Sequence, residues 1–160
     1  FCLTLKTLHM KSSGNFINEI SINYSKKTFS FDSINSVTDA QLIAREIYKN
    51  AEASIELKEY FFMILLNRAN EVIGYHKLSE GGIAATVVDM RIAFATALKG
   101  LATGIILVHN HPSGNLKASP QDKEITEKFK RIGELMEITI LDHIILSSTK
   151  YLSFVEAGML

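Results

Sequence analysis

Cysteine occurs once in the chain, at Cys2. A disulfide framework within one chain and a cysteine-based zinc site are therefore both excluded. The scarcity fits a reducing compartment, and the expected location is cytoplasmic. An excess of charge of one sign is also missing, since 17 Lys and Arg balance 17 Asp and Glu. Nucleic acid and anionic membrane surfaces are thus not favoured as main partners, and charge lends DNA binding no support. No apolar run approaches the roughly 20 residues of a membrane-spanning helix. The opening "FCLTLKTLHM" is too short and too weakly apolar for a signal peptide. Internal repeats, low-complexity tracts and an interdomain linker are likewise absent.

What is present describes an ordinary globular chain, 47% apolar over 160 residues. A domain of this size buries roughly 70% of the surface its unfolded chain exposes, so it needs no staples. Residues 1–37 read as an N-terminal segment, an extended arm or edge strands centred on "FINEISINYSKKTFSF". Met10 reads as a natural start, with residues 1–9 as upstream read-through. The domain proper spans 38–160. It opens with a helix capped by Thr38 or Asp39, whose Leu42, Ile43, Ile47 and Tyr48 recur at helical spacing. "EYFFMILLN" (59–67) and "GIILVHNH" (104–111) read as strands buried on both faces. A strand from Glu71 to Leu78 ends at a Gly81–Gly82 break, and a helix from Asp89 to Lys99 stops at Gly100. Pro120 opens a further helix, "ITILDHIIL" (138–146) is a strand, and "YLSFVEAGML" a short strand with a tail. Strands alternating with helices predict an α/β (α+β) fold, a mixed β-sheet flanked by helices.

The stretch "VHNHPSGNLKASPQD" (108–122) concentrates the chemistry. His109 and His111 stand at the end of a buried strand, where residues i and i+2 point to one side. Both imidazoles can therefore converge on one point, while Asn110 points away and can brace the loop. Asp122 returns in the first turn of the next helix, whose positive end attracts a carboxylate. Two imidazoles and one carboxylate form a three-ligand zinc set with the fourth position open, the plan of catalytic sites. Such a site needs a general base. Glu59, an acid at the border of an apolar run, is the leading candidate, with Glu56 as a rival. Ser119 sits at the helix N-cap, where its hydroxyl either bonds a backbone N–H or holds a developing oxyanion.

His109-x-His111-Pro112 followed by Ser119-x-x-Asp122, with Glu59 upstream on a strand, resembles the JAMM signature of JAB/MPN metallopeptidases. "HNHPSGN", "SPQD", and later "LDHIIL" before "YLSF", resemble the RadC branch. The resemblance runs from about Thr38 to Leu160 and implies a cytidine-deaminase-like fold. It implies one zinc ion on His109, His111 and Asp122, with Glu59 as acid/base and Ser119 beside the tetrahedral intermediate. The implied activity is hydrolysis of a peptide or isopeptide amide in a peptide or protein substrate. RadC-type chains commonly carry a helix-hairpin-helix region that is not read here, so their DNA-repair label does not transfer by motif. Ala118 also stands where the family often has proline before the motif serine.

Plainer readings stand beside these. The histidines could be loop residues bonded to backbone, Glu59 a solvated strand start, and Ser119 a simple N-cap. His143 in "LDHII" is a hydrogen-bonded core histidine or a group supporting the ligands, with Asp142 orienting it. The same donor set suits iron, manganese or cobalt. A DNA-associated accessory module and a non-catalytic interaction module are the alternative functions. A nucleobase deaminase is disfavoured, because its PCxxC ligands are missing.

Overall fold

The computed structural model describes residues 33–81 and 88–160. The expected arm and edge strands, and Gly82 of the glycine break, lie outside the described residues. Helix α1 (Val37–Asn50) is followed by strands β1 (Tyr60–Leu66) and β2 (Val72–Glu80), and then by helix α2 (Met90–Lys99). Strand β3 (Gly104–Asn110), helix α3 (Pro120–Met136), and strands β4 (Thr139–Leu146) and β5 (Tyr151–Ser153) complete the order. The five strands form one mixed sheet, β2-β1-β3-β4-β5. Among the described residues only the β3/β4 pair is parallel, and the other three pairs are antiparallel. A parallel pair needs a crossover, and α3 supplies it between β3 and β4.

Every residue of β1 and β3 is buried, as expected of strands covered on both faces. Alternation then splits the core in two. Tyr60, Phe62, Ile64, Leu66, Ile106 and Val108 pack with Ala40, Ile43, Ala44, Ile47 and Tyr48 of α1. Phe61, Met63, Leu65, Ile105 and Leu107 pack with Ala93, Phe94 and Ala97 of α2 and Phe129 of α3. His109 follows the parity of Leu107, so its ring belongs to the α2/α3 face. Asn110 follows Val108 and faces α1.

Local signals set the helix ends. α1 starts earlier than the sequence reading had it, because Ser36 is the N-cap and not Thr38 or Asp39. Ser36 is extended (φ −146°, ψ 162°), and its side chain accepts from Asp39 N. α3 begins with a full capping box: Ser119 Oγ accepts from Asp122 N, and the Asp122 carboxylate accepts from Ser119 N. At its far end α3 approaches the next strand so closely that a Cβ on Gly133 would stand 2.4 Å from Ile138 O. Only glycine fits there.

Candidate metal centre

The C-terminal end of β3 and the N-terminus of α3 meet at one edge of the sheet. His109 and His111 extend from β3, and His111 N donates to Leu146 O at 3.0 Å, prolonging the ladder with β4 by one residue. Gly114 N bonds His111 O at 2.9 Å, closing a turn in which Gly114 takes φ +74°. That turn sends the chain into α3 and presents Asp122. Ligand sites in open α/β sheets characteristically lie at such strand ends.

The donors converge. His109 Nε2 lies 3.0 Å from His111 Nε2 and 3.2 Å from Asp122 Oδ1, and His111 Nε2 lies 3.6 Å from Asp122 Oδ2. Ligand atoms from all three fall within 4.8 Å of one another. Nitrogen and oxygen donors about 2.0–2.1 Å from a tetrahedral ion are separated from each other by roughly 3.3 Å. The His109–His111 and His109–Asp122 Oδ1 separations lie close to that value, so the residues fit a divalent transition metal. Two ring lone pairs 3.0 Å apart also repel unless a proton or cation lies near both.

Electrostatics agree. Burial by itself would raise the Asp122 pKa, but contact with His109 and His111, and the bond from Ser119 N, hold it well below the usual carboxylate range. The Asp122 carboxylate raises the His111 pKa, burial opposes this, and the Asn115 carbonyl, the Asp122 charge and the Glu59 charge add to the rise. Glu59 is half-buried, one residue before β1. In the β1/β3 register Phe61 pairs with His109, so the antiparallel continuation sets Glu59 opposite His111. The rival Glu56 is exposed.

Asn110 braces a different segment from the one expected. It does not tie its own loop. Its Oδ1 accepts from Tyr60 N at 2.8 Å and lies 3.1 Å from Tyr48 Oη; its Nδ2 donates to Ile55 O at 2.7 Å and Lys58 O at 2.8 Å. Those bonds hold the chain on both sides of Glu59. Burial, then the charges of Glu59 and Tyr60, pushes the Tyr48 hydroxyl pKa well up, so it stays a donor.

His143 is fully buried and touches the site through His109: its Nε2 lies 2.8 Å from His109 Nδ1. Asp142 does not orient that ring. Its carboxylate accepts from His143 N, Val155 N and Ser153 Oγ, stapling β4 to the chain after β5. The ring is held by Thr126 Oγ1, 2.6 Å from His143 Nδ1. Thr126 and the Asn115 carbonyl, 2.5 Å from His111 Nδ1, were not legible as site residues. The one available signal for Thr126 was its place four residues after Asp122, on the same helix face.

The RadC-like JAB domain model matches residues 34–159. The chain belongs to this family. Curated relatives of the RadC-like domain include a UPF0758 protein of Flavobacterium johnsoniae, 52% identical over 101 residues, which are 63% of this chain and 44% of the relative. Another, from Pelobacter propionicus, is 45% identical over 103 residues, 64% of this chain and 45% of the relative. A third, from Chlorobium chlorochromatii, is 41% identical over 113 residues, 71% and 51% of the two chains. The RadC-like chain thus spans about half the length of the curated relatives it matches. No helix among the described residues is long and apolar enough to cross a membrane.

Proposed function

We propose that this RadC-like domain is a zinc-dependent hydrolase of the JAMM type that cleaves a peptide or isopeptide amide bond. The observation that carries the reading is the convergence of His109 Nε2, His111 Nε2 and the Asp122 carboxylate at the end of β3. When bound, zinc supplies Lewis-acid chemistry, acidifying water and polarising a carbonyl oxygen. His109, His111 and Asp122 would hold it. The Glu59 carboxylate takes the proton of the attacking water and returns it to the leaving nitrogen. Ser119 Oγ, anchored by Asp122 N at 3.1 Å, directs its own O–H to the oxyanion that develops at the scissile carbonyl. Asn110 keeps Glu59 at its station by bonding the backbone on either side.

Metal analysis of the purified protein tests the first half. One zinc per chain is expected in the wild type and none in the His109→Ala/His111→Ala variant. Profiling peptide and isopeptide hydrolysis tests the second. Glu59→Ala is expected to keep zinc and lose about 10²- to 10⁴-fold in turnover, the usual contribution of a positioned base. A wild type that takes up no metal, or unchanged turnover without Glu59, refutes the proposal.

A further inference from the structure

The hydrogen bonds behind His109 run in one direction only. Thr126 Oγ1 lies 2.6 Å from the backbone carbonyl of Asp122. A carbonyl only accepts, so the threonine proton is spent on it. Thr126 Oγ1 must then accept from His143 Nδ1, 2.6 Å away. A neutral imidazole with its proton on Nδ1 has a lone pair on Nε2. His109 Nδ1, 2.8 Å from that lone pair, must carry a proton and donate it. In the neutral ring His109 Nε2 is left as a lone pair toward His111, and a proton or metal ion taken up there meets Asp122 Oδ1, 3.2 Å away.

The surroundings keep His143 neutral. Its ring is completely buried, with centroids 4.6 Å from Phe154 and 5.5 Å from Phe61. A charged imidazolium in that apolar enclosure would lose its hydration with no carboxylate against the ring, among the described residues, to replace it. Phe61 also lies parallel to His109 with ring centroids 5.5 Å apart, and packs against one face of that ring.

We infer that Thr126 and His143 form a relay that locks His109 in the tautomer required of a metal ligand, and that both are positioning residues for the metal. The outer partner of His109 is a neutral ring, and that of His111 is the Asn115 carbonyl. Among the described residues, the Nδ1 atoms of the two ligand histidines thus meet a ring nitrogen and a backbone carbonyl, where carboxylate–histidine–zinc sites place a carboxylate that raises ligand basicity. A neutral outer partner draws less electron density onto the ligand nitrogen, so the bound ion keeps more of its Lewis acidity. This inference rests on the proposed zinc-site reading, while its first test does not depend on metal.

That test is two-bond ¹H–¹⁵N correlation of the imidazole rings in the metal-free protein at mildly alkaline pH. His109 and His143 are both expected as Nδ1–H tautomers, and Thr126→Val is expected to mix the His109 tautomers while Thr126→Ser restores the wild-type pattern. The second test is zinc affinity by competition with a chromogenic chelator, alongside the visible spectrum of the Co²⁺-loaded protein. Loss of the relay in Thr126→Val or His143→Ala is expected to weaken zinc about 10- to 100-fold and to alter the cobalt bands. Circular dichroism identifies folded variants, and the conservative Thr126→Ser keeps the comparison valid where His143→Ala does not fold. An Nε2–H tautomer at His109 in the wild type overturns the relay and leaves the zinc reading standing. Wild-type zinc affinity in folded Thr126→Val does the same. A wild type that binds no zinc overturns both.

Discussion

Replacing Asn110 by alanine is the sharpest perturbation of the arrangement around Glu59. The side chain is fully buried and makes its bonds across to the α1 side of the sheet. Tyr48 loses little, because its hydroxyl still has Tyr60 O at 3.0 Å. Tyr60 N is different: it belongs to a buried residue and loses its side-chain acceptor, which costs about 1–3 kcal/mol. The Ile55 and Lys58 carbonyls belong to half-buried residues. Both bonds are only partly buried, so each lost bond costs about 0.5–1 kcal/mol. The expected total is roughly 2–5 kcal/mol. Urea unfolding followed by circular dichroism should show a lower midpoint with an unchanged slope. The site should respond too, since the segment carrying Glu59 is released: turnover falls while zinc stoichiometry stays at the wild-type level. A stability loss below about 0.5 kcal/mol, the range of ordinary surface substitutions, would refute the claim that this side chain clamps the Glu59 segment.

Other outcomes follow from the same structure. Gly133→Ala forces a Cβ against Ile138 O, and backbone cannot yield as a side-chain tip does; denaturant titration should read a loss of about 1–3 kcal/mol or more. Ser119→Ala removes the N-cap of α3; it should cost about 1 kcal/mol and reduce hydrolysis more than it reduces zinc binding. In the metal-free protein the raised His111 pKa contributes stability fully below its unfolded value of about 6.5, and that contribution is lost as pH rises through the folded value. Thermal melts should therefore show metal-free wild type losing its margin over Asp122→Asn as pH rises above about 6.5, the ordinary histidine value. Zinc should reverse that slope: it competes with the same proton, so the rise in melting temperature on adding zinc grows with pH.

The sequence alone settled what depends on near neighbours along the chain. The apolar runs around Phe62 and Leu107 read as strands covered on both faces, and they are. The i, i+2 spacing put His109 and His111 on one side, and Ser119 with Pro120 marked where α3 begins. The metal ligands were legible because they lie within fourteen positions of one another, joined by a strand end, a turn and a helix start. Element ends moved by a residue or two, as where β2 runs on to Glu80 past Leu78, and where α1 starts at the extended cap Ser36 ahead of Thr38 and Asp39. What only the tertiary structure decided are the partners from other elements. Asn110 reaches across the sheet to the chain around Glu59, and His143 reaches His109 from a neighbouring strand. Thr126 orients His143, and Asp142 turns to the chain after β5 instead. Strand order and register bring those pairs together, and both depend on how two separate cores pack against the faces of one sheet. No periodicity in the sequence encodes which buried polar group will find which.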